Sequence, residues 1–421
     1  MKNSRLLTIF LIVFIDLLGF SLILPLLPYY AETYGATPFI VGLLVASYAA
    51  AQLIGAPLLG RLSDRIGRRP VLLLSVAGTC AGFLLLGFAD PLGRLLADLI
   101  APEAVNAIIL GLLFFSRILD GLTGGNITVA QAYITDVTDD QNRAKGLGLI
   151  GAAFGLGFII GPAVGGALSK WGYSLPAFVA ASVSFINILM ILFFLPESLP
   201  AERRSAEYLQ KRPPFTLKAL SQALSRPKIG PLLQLRFFFS LAFATFQTIF
   251  ALYAQGIGLS SQTTGFLLAY VGILTVIVQG GLIGLLTRRF RDNWLIINGL
   301  WVMTGALLAW AFTTRLWALV VVILPLAVAG GVVNTIIQSS ITKSVIREEV
   351  GGVLGITTSL EAMTRVIAPI VGGFLLQKVG LWAPGVFSVI LMAWALVLAY
   401  WRIVLPSNRE PIAVDSGMSN R

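Results

Sequence analysis

Gly60-Arg61-Leu62-Ser63-Asp64-Arg65-Ile66-Gly67-Arg68-Arg69-Pro70 sets four arginines, one aspartate and two glycines between two long apolar runs. A link this short between two membrane-crossing helices is a tight turn at a bilayer surface, and its arginines hold it on the cytoplasmic side. Asp64 among these cations accepts charge-assisted hydrogen bonds from arginine or faces the N-terminus of a neighbouring helix. The glycines let the backbone turn and let two helices approach closely. The plainer alternative is a basic loop that only sets topology.

Working outward, the 421-residue chain is 57% hydrophobic and only 12% charged. That apolar fraction lies above the soluble range, and runs of spanning length recur along the chain, as in a polytopic membrane protein. A net charge of +11 points to nucleic acid in a soluble protein. Here the positive charges gather in alternate loops, so the partner is the lipid bilayer and no nucleic acid is expected. Cys80 is the only cysteine, and there is no histidine. An intramolecular disulfide, a cysteine-based metal site, Ser-His-Asp or Cys-His catalysis and a histidine proton relay are therefore excluded. No metal, cofactor or enzyme activity is expected, and proton coupling would have to run on carboxylates. The first apolar helix is too long for a signal-peptide core and is read as the first span.

Twelve spans are expected, at 6–28, 39–59, 70–89, 105–134, 146–168, 175–195, 230–256, 263–286, 294–313, 317–341, 351–377 and 382–404. With the N-terminus inside, about 24 of the lysines and arginines fall in cytoplasmic segments. Arg94, Lys170, Arg315 and Lys378 fall outside, and Arg117 and Arg365 within spans. The expected localisation is thus the cell (inner) membrane, multi-pass, with both termini cytoplasmic. Residues 1–195 and 229–405 read as two six-helix halves. Between them lies a charged linker, 196–228, whose second part suits a short surface helix. The polar end, 406–421, reads as a cytoplasmic tail. The halves are related. Ile160-Gly161-Pro162-Ala163-Val164-Gly165-Gly166 matches Ile367-Ala368-Pro369-Ile370-Val371-Gly372-Gly373, and the same offset aligns Gly148 with Gly355. Two parallel repeats with a site between them are a transporter architecture.

The opening stretch resembles the loop signature, motif A, of the major facilitator superfamily, in the form found in drug/proton antiporters such as the tetracycline exporters. Its residues here are Gly60, Asp64, Arg65, Gly67, Arg68 and Arg69, and a degenerate copy, Gly284-Leu285-Leu286-Thr287-Arg288-Arg289-Phe290-Arg291, follows the eighth span. The resemblance implies the all-α fold of twelve helices in two pseudo-symmetric halves. It also implies a charge relay from Arg65 or Arg68 to Asp136 that closes the inner gate in the outward-facing state. In the fifth span, Gly151, Gly155, Gly161, Pro162, Gly165 and Gly166 resemble motif C, the antiporter motif, with glycines for close packing and a proline to bend the helix.

Asp16 lies mid-span, where a carboxylate costs several kcal/mol unless protonated, paired or facing water. It is read equally as a proton carrier or as a structural acid bonded to a helix end or an arginine. Arg117, Asp120, Gly124, Thr128 and Gln131 fall within about 80° on one face of a fourth-span helix, which should face a cavity. Arg117 resembles the motif B arginine associated with proton coupling, while Asp120 departs from that motif and, at i+3, neutralises Arg117. Glu361 and Arg365 form an i,i+4 pair that most simply neutralises itself, with a proton or substrate role as the sharper reading. Asn334, Gln338 and Gln247 are cavity candidates. Phe239, Phe243, Phe246, Phe250 and Tyr253 make a stripe within about 80°, either an aromatic wall for a lipophilic, even cationic, compound or a packing face.

The expected function is proton-coupled efflux of a small lipophilic compound by alternating access. Protons serve as coupling ion, and the protein is expected to be a monomer. The alternatives are transport of a metabolite such as a sugar or amino acid, and a non-transporting receptor or scaffold.

Overall fold

The computed structural model describes residues 2–200, 225–226, 229–346 and 349–404. Most of the charged linker and the whole polar tail therefore lie outside the described residues, as does the expected surface helix. Among the described residues, twelve helical stretches are long and apolar enough to cross a membrane. The chain is an all-α, multi-pass membrane protein built as two six-helix bundles.

The first bundle holds α1 (Lys2–Ile23), α2 (Leu27–Glu32), α3 (Pro38–Ile66), α4 (Arg68–Gly87), α5 (Ala89–Ile100), α6 (Val105–Thr123), α7 (Asn126–Val137), α8 (Asp140–Leu168) and α9 (Ser174–Phe194). The second holds α10 (Gly230–Gly256), α11 (Ser261–Ile277), α12 (Ile283–Arg289), α13 (Asp292–Phe312), α14 (Leu316–Lys343), α15 (Val350–Lys378) and α16 (Ala383–Ala399). A π turn, Val278–Leu282, joins α11 to α12 within the eighth span.

Local chemistry sets the ends. The Pro25 and Pro28 region breaks the first span into α1 and the short α2, where one continuous helix to residue 28 was expected. Pro38 begins α3 behind an N-cap, the Thr37 hydroxyl accepting the Ile40 N–H at 3.4 Å; proline at N1 gives up no hydrogen bond. The arginine-rich stretch is helical almost throughout, and the turn between the second and third spans narrows to Gly67, at φ 111°. The fourth span is broken at Gly124-Gly125, where an unbroken helix was expected. The carbonyls freed by the break are satisfied from neighbours: Ser75 Oγ donates to the Thr123 carbonyl, and Gln52 Nε2 to that of Gly124 at 3.0 Å. A break inside a span is tolerated only on such terms. Of residues 90–104, expected as the loop between the third and fourth spans, most belong to the amphipathic helix α5. Ala89, Gly93 and Ala97 face inward, and Leu92, Leu95 and Leu99 face out.

The two bundles meet at the end opposite the chain termini. There α3 lies on α15, with Gly42 against the Pro369 carbonyl, Gly373 against Pro38, and Phe39 N–H donating to Gln377 Oε1 at 3.1 Å. Beside this contact α8 lies on α11, where Gly265 meets the Pro162 carbonyl and Gly166 meets Gln262. Tyr29 and Thr264 hydroxyls at 2.7 Å, Ser169 and Ser261 at 2.8 Å, and Gln255 Nε2 on Glu32 Oε2 at 2.5 Å complete the seam. At the end carrying the termini the described residues of the two bundles diverge: Gly151 of α8, Gly280 and Gly281 of the π turn, Gly284 of α12, and Gly351 and Gly355 of α15 have no neighbour among them within 4 Å of a would-be Cβ. A space between the bundles is closed at the first end and open at the second.

Candidate functional site

At the open end, Gly67 lets α4 start at once after α3, which folds Arg68 back into the bundle. Its guanidinium reaches Asp64 at 2.6 Å, the Ser63 hydroxyl at 2.7 Å and Asp136 of α7 at 3.0 Å, and Arg68 is only 5% exposed. Of the two expected partners of Asp136, the structure selects Arg68. Arg65 is exposed, one helical step away from the network. Gly60 lies beside Thr128. Glu197, just past α9 in the expected linker, accepts on its carboxylate the backbone N–H groups of Arg68 (2.9 Å) and Arg69 (3.1 Å) at the start of α4. Asp136 also accepts from Ser198 at 3.1 Å. Burial works against the charge of Glu197, but backbone N–H groups of Leu199, Arg68, Arg69 and Ser198 outweigh it and hold its carboxyl below the usual range. An anion at a helix N-terminus is favoured in any case.

Halfway along the first bundle, Arg117 Nη1 donates to Asp120 Oδ2 at 3.1 Å, and the guanidinium lies 5.3 Å from the centroid of the Phe83 ring. The expected i,i+3 neutralisation is present. Asp16 is 6% exposed, and its Oδ1 has no hydrogen-bond partner among the described residues. It shares a crevice too tight for water with Ile12, Val13, Leu72, Val76, Asn126 and Ile127. Asn126 opens α7, so the break at Gly124-Gly125 brings a helix N-terminus to the side of Asp16. The same break ends the straight-helix wheel used for the fourth span. Arg117 and Asp120 are buried, whereas Thr128 and Gln131 of α7 are exposed.

The second bundle differs most from expectation. Glu361 does not pair with Arg365. Its Oε1 accepts from Arg236 of α10, at 2.9 Å from Nε and 2.5 Å from Nη2, and Arg236 Nη1 also donates to Asn334 Oδ1 at 2.6 Å. Arg236 lies inside the expected span 230–256, although only Arg117 and Arg365 were counted within spans, and it is 5% exposed. An in-plane guanidinium fork across two helices outcompetes a flexible pair along one helix. The aromatic stripe of α10 is a packing ladder rather than a cavity wall. Phe239, Phe243, Phe246 and Phe250 stack in series at 5.4–6.4 Å, and Phe246 and Tyr253 meet Trp310 of α13 at 5.0 and 5.1 Å. Phe246 and Phe250 are fully buried, Phe243 is half-buried, and Gln247 beside them is exposed. Asn334 and Gln338 line a groove of about 550 Å³ with Gln279, Thr335, Ser339 and Thr342.

The glycines of the fifth span stand between the bundles. Gly161 and Gly165 press on Ser21 and Leu22 of α1, while Gly155 and Gly166 touch α11 at Val276 and Gln262. Pro162 has no N–H for the Phe158 carbonyl, which lies against Gly272 of α11; α8 runs unbroken through it. A profile of the Major Facilitator Superfamily matches residues 9–362. The chain belongs to this superfamily. It is 30% identical to the class H tetracycline resistance protein of Pasteurella multocida over 95% of this chain and 96% of that one. It is 28% identical to the class C protein of Escherichia coli over 97% of each. Its fold is that of a bacterial homolog of the human lysosomal transporter Spinster, at TM-score 0.73 and 15% identity, covering 97% of each chain.

In this major facilitator protein an aromatic cluster of the first half joins three helices. Phe20 of α1 lies tilted on Tyr48 of α3 at 5.0 Å and meets Phe158 of α8 at 6.3 Å, and all three rings are partly exposed. Gln52 Nε2 donates to the Tyr48 hydroxyl at 3.0 Å. No periodicity could single out this cluster, since its members lie on three different helices. Arg236 did carry a signal: it is a lone cation in the second turn of an apolar span.

Proposed function

We propose that this chain is a proton-coupled exporter of small lipophilic compounds, working by alternating access. The observation that carries the reading is Asp16: a carboxyl group inside the first bundle, with one oxygen unpartnered among the described residues, in a crevice without room for water. Such a group is stable when it takes up a proton and costly when it releases one into the same surroundings. Asp16 is therefore the proton carrier. The charged form is attracted to the N-terminus of α7 at Asn126, and the other end of α7 carries Asp136, which holds Arg68. The 12-residue α7 is a rigid link of about 15 Å between the proton site and motif A. Protonation weakens the pull at one end and resets the latch at the other.

With both termini in the cytoplasm, the open end of the bundle faces inward and the state is loaded from inside. Residues 1–195 and 229–405 act as the two rocking bodies, with 196–228 as their tether and 406–421 as a tail. The inner membrane is the site of action, and a monomer contains every part named. The tetracycline resistance proteins among its relatives support drug-like cargo, and the glycine-lined contacts between α8 and α11 suit an interface that must open.

The test is proton movement in inverted vesicles energised to an acid interior, followed by dequenching of a pH-sensitive dye on addition of tetracycline, lipophilic cations, lipophilic acids, sugars or amino acids. Dequenching by a drug-like compound in wild type, lost in Asp16→Asn, is the expected result. Dequenching that survives in Asp16→Asn moves the proton site elsewhere, with Glu361 next. A response to one metabolite alone replaces the efflux reading.

A further inference from the structure

Among the described residues, six acidic or basic side chains lie well inside the spans: Asp16, Arg117, Asp120, Arg236, Glu361 and Arg365. Four are consumed in two pairs, Arg117 with Asp120 and Arg236 with Glu361. Asp16 is buried. Arg365 is left, exposed and with no ion pair among the described residues. A cation near the middle of a spanning helix is costly unless it faces water or a partner, and such residues mark ligand pathways.

Its position says where the partner would sit. Residues 365, 369 and 373 form one stripe of α15 at i, i+4 and i+8. Pro369 and Gly373 of that stripe are pressed against Gly42 and Pro38 of α3 at the closed end. Arg365 is therefore the first residue of the stripe below the closure, at the roof of the open space. Tyr48 of α3 lies within the fields of Asp120, Asp16, Arg117 and Arg365 together, and it carries the ring contacts to Phe20 and, through Phe20, to Phe158. Among the described residues, one cation without an ion pair thus lies near an aromatic cluster donated by the opposite bundle.

We propose that Arg365 is the anion anchor of the central space and that the compound carried is a lipophilic acid. Its carboxylate or sulfonate is held by the guanidinium of Arg365, and its apolar body rests on Phe20, Tyr48 and Phe158. This deepens the efflux reading and rests on it for the transport step only. The cationic cargo suggested by the α10 aromatic stripe loses its basis, because that stripe is packed away and the free charge in the space is positive.

The test is equilibrium binding to the purified full chain in nanodiscs, using three fluorescent probes with one ring system: pyrenebutyrate, pyrenebutanol and pyrenebutylamine. The acid should bind at least about tenfold more tightly than the alcohol, the scale of one charge-assisted hydrogen bond. Arg365→Gln should erase that preference while leaving alcohol binding and melting temperature unchanged, and Arg365→Lys should keep part of it. Tightest binding by the amine, equal binding of all three, no binding of any, or an acid preference that survives Arg365→Gln each overturns the proposal. Vesicle dequenching separates the two claims. Proton movement driven by the amine and not the acid keeps efflux and removes the anion anchor. Acid binding lost in Arg365→Gln, with no proton movement for any probe, keeps the anchor and removes the coupling.

Discussion

Arg236 and Glu361 face each other between the seventh and eleventh spans, 125 positions apart in sequence and 2.9 Å apart from Nε to Oε1. This pair determines the charge of the central space, since it takes the acid that would otherwise neutralise Arg365. Removing one partner of a fully buried pair costs about 3–5 kcal/mol. Glu361 keeps 29% side-chain exposure, so solvent screening lowers the expected cost of Arg236→Met to about 1–3 kcal/mol. The double variant Arg236→Met/Glu361→Met should recover most of that loss. Thermal unfolding of the detergent-purified proteins gives the comparison, and a double variant no better than the single would show that the pair is not the unit.

Arg68 is held by three oxygens on two helices, a geometry that only a planar fork satisfies. Arg68→Lys should therefore lower transport at least about tenfold despite keeping the charge, with near-normal expression and melting. Asp136→Asn should do the same. Initial rates of substrate-driven dequenching in vesicles matched for protein content provide the measurement.

Glu197 gives a pH signature. Its carboxyl is held below the ordinary glutamate value of about 4.3 by backbone N–H donors that outweigh its burial. A folded pKa below the unfolded one adds stability above the unfolded value, and that stability disappears as the pH falls through the folded one. The melting-temperature gap between wild type and Glu197→Gln should thus be full at neutral pH and shrink below about pH 4. A gap constant with pH would mean that the glutamine loses packing rather than a charge.

Gly42 and Pro369 touch at the closed end with no room for a side chain. Gly42→Leu should wedge α3 from α15 and shift the population toward the state open at that end. In a Cys80→Ser background, Ser261→Cys, buried at the same seam, should react with a membrane-impermeant maleimide several-fold faster when Gly42→Leu is added. Unchanged labelling would show that the glycine contact does not govern closure.

Phe246 is fully buried and packs edge-on against Trp310. Phe246→Ala should cost about 3–5 kcal/mol of stability and leave the order of preference among transported compounds unchanged. A changed order with intact stability would return the α10 stripe to the cargo site.

Some of this was legible locally. Arg117 and Asp120 are one helical step apart, so any helix through them brings them together. The glycine pattern of 151–166 announces close helix packing wherever its neighbours lie. The i,i+4 pair of Glu361 and Arg365 has the same logic and fails, because a better-shaped partner arrives from α10. The aromatic stripe of α10 was legible as a stripe, but its facing depends on where α13 packs. The break at Gly124-Gly125 depends on Ser75 and Gln52, side chains from two other helices.

By itself the sequence determined the all-α membrane class, the twelve spans, the two related halves and the places of the glycine-rich contacts. Hydropathy, chain length and small-residue spacing act within one segment at a time. Only the tertiary structure decided which ionisable groups pair, which end of the bundle is closed, and that Arg365 has no ion pair among the described residues beneath the closure. Those outcomes depend on the rotation of each helix about its axis and on neighbours a hundred or more residues away, where a turn of one helix exchanges one charge partner for another.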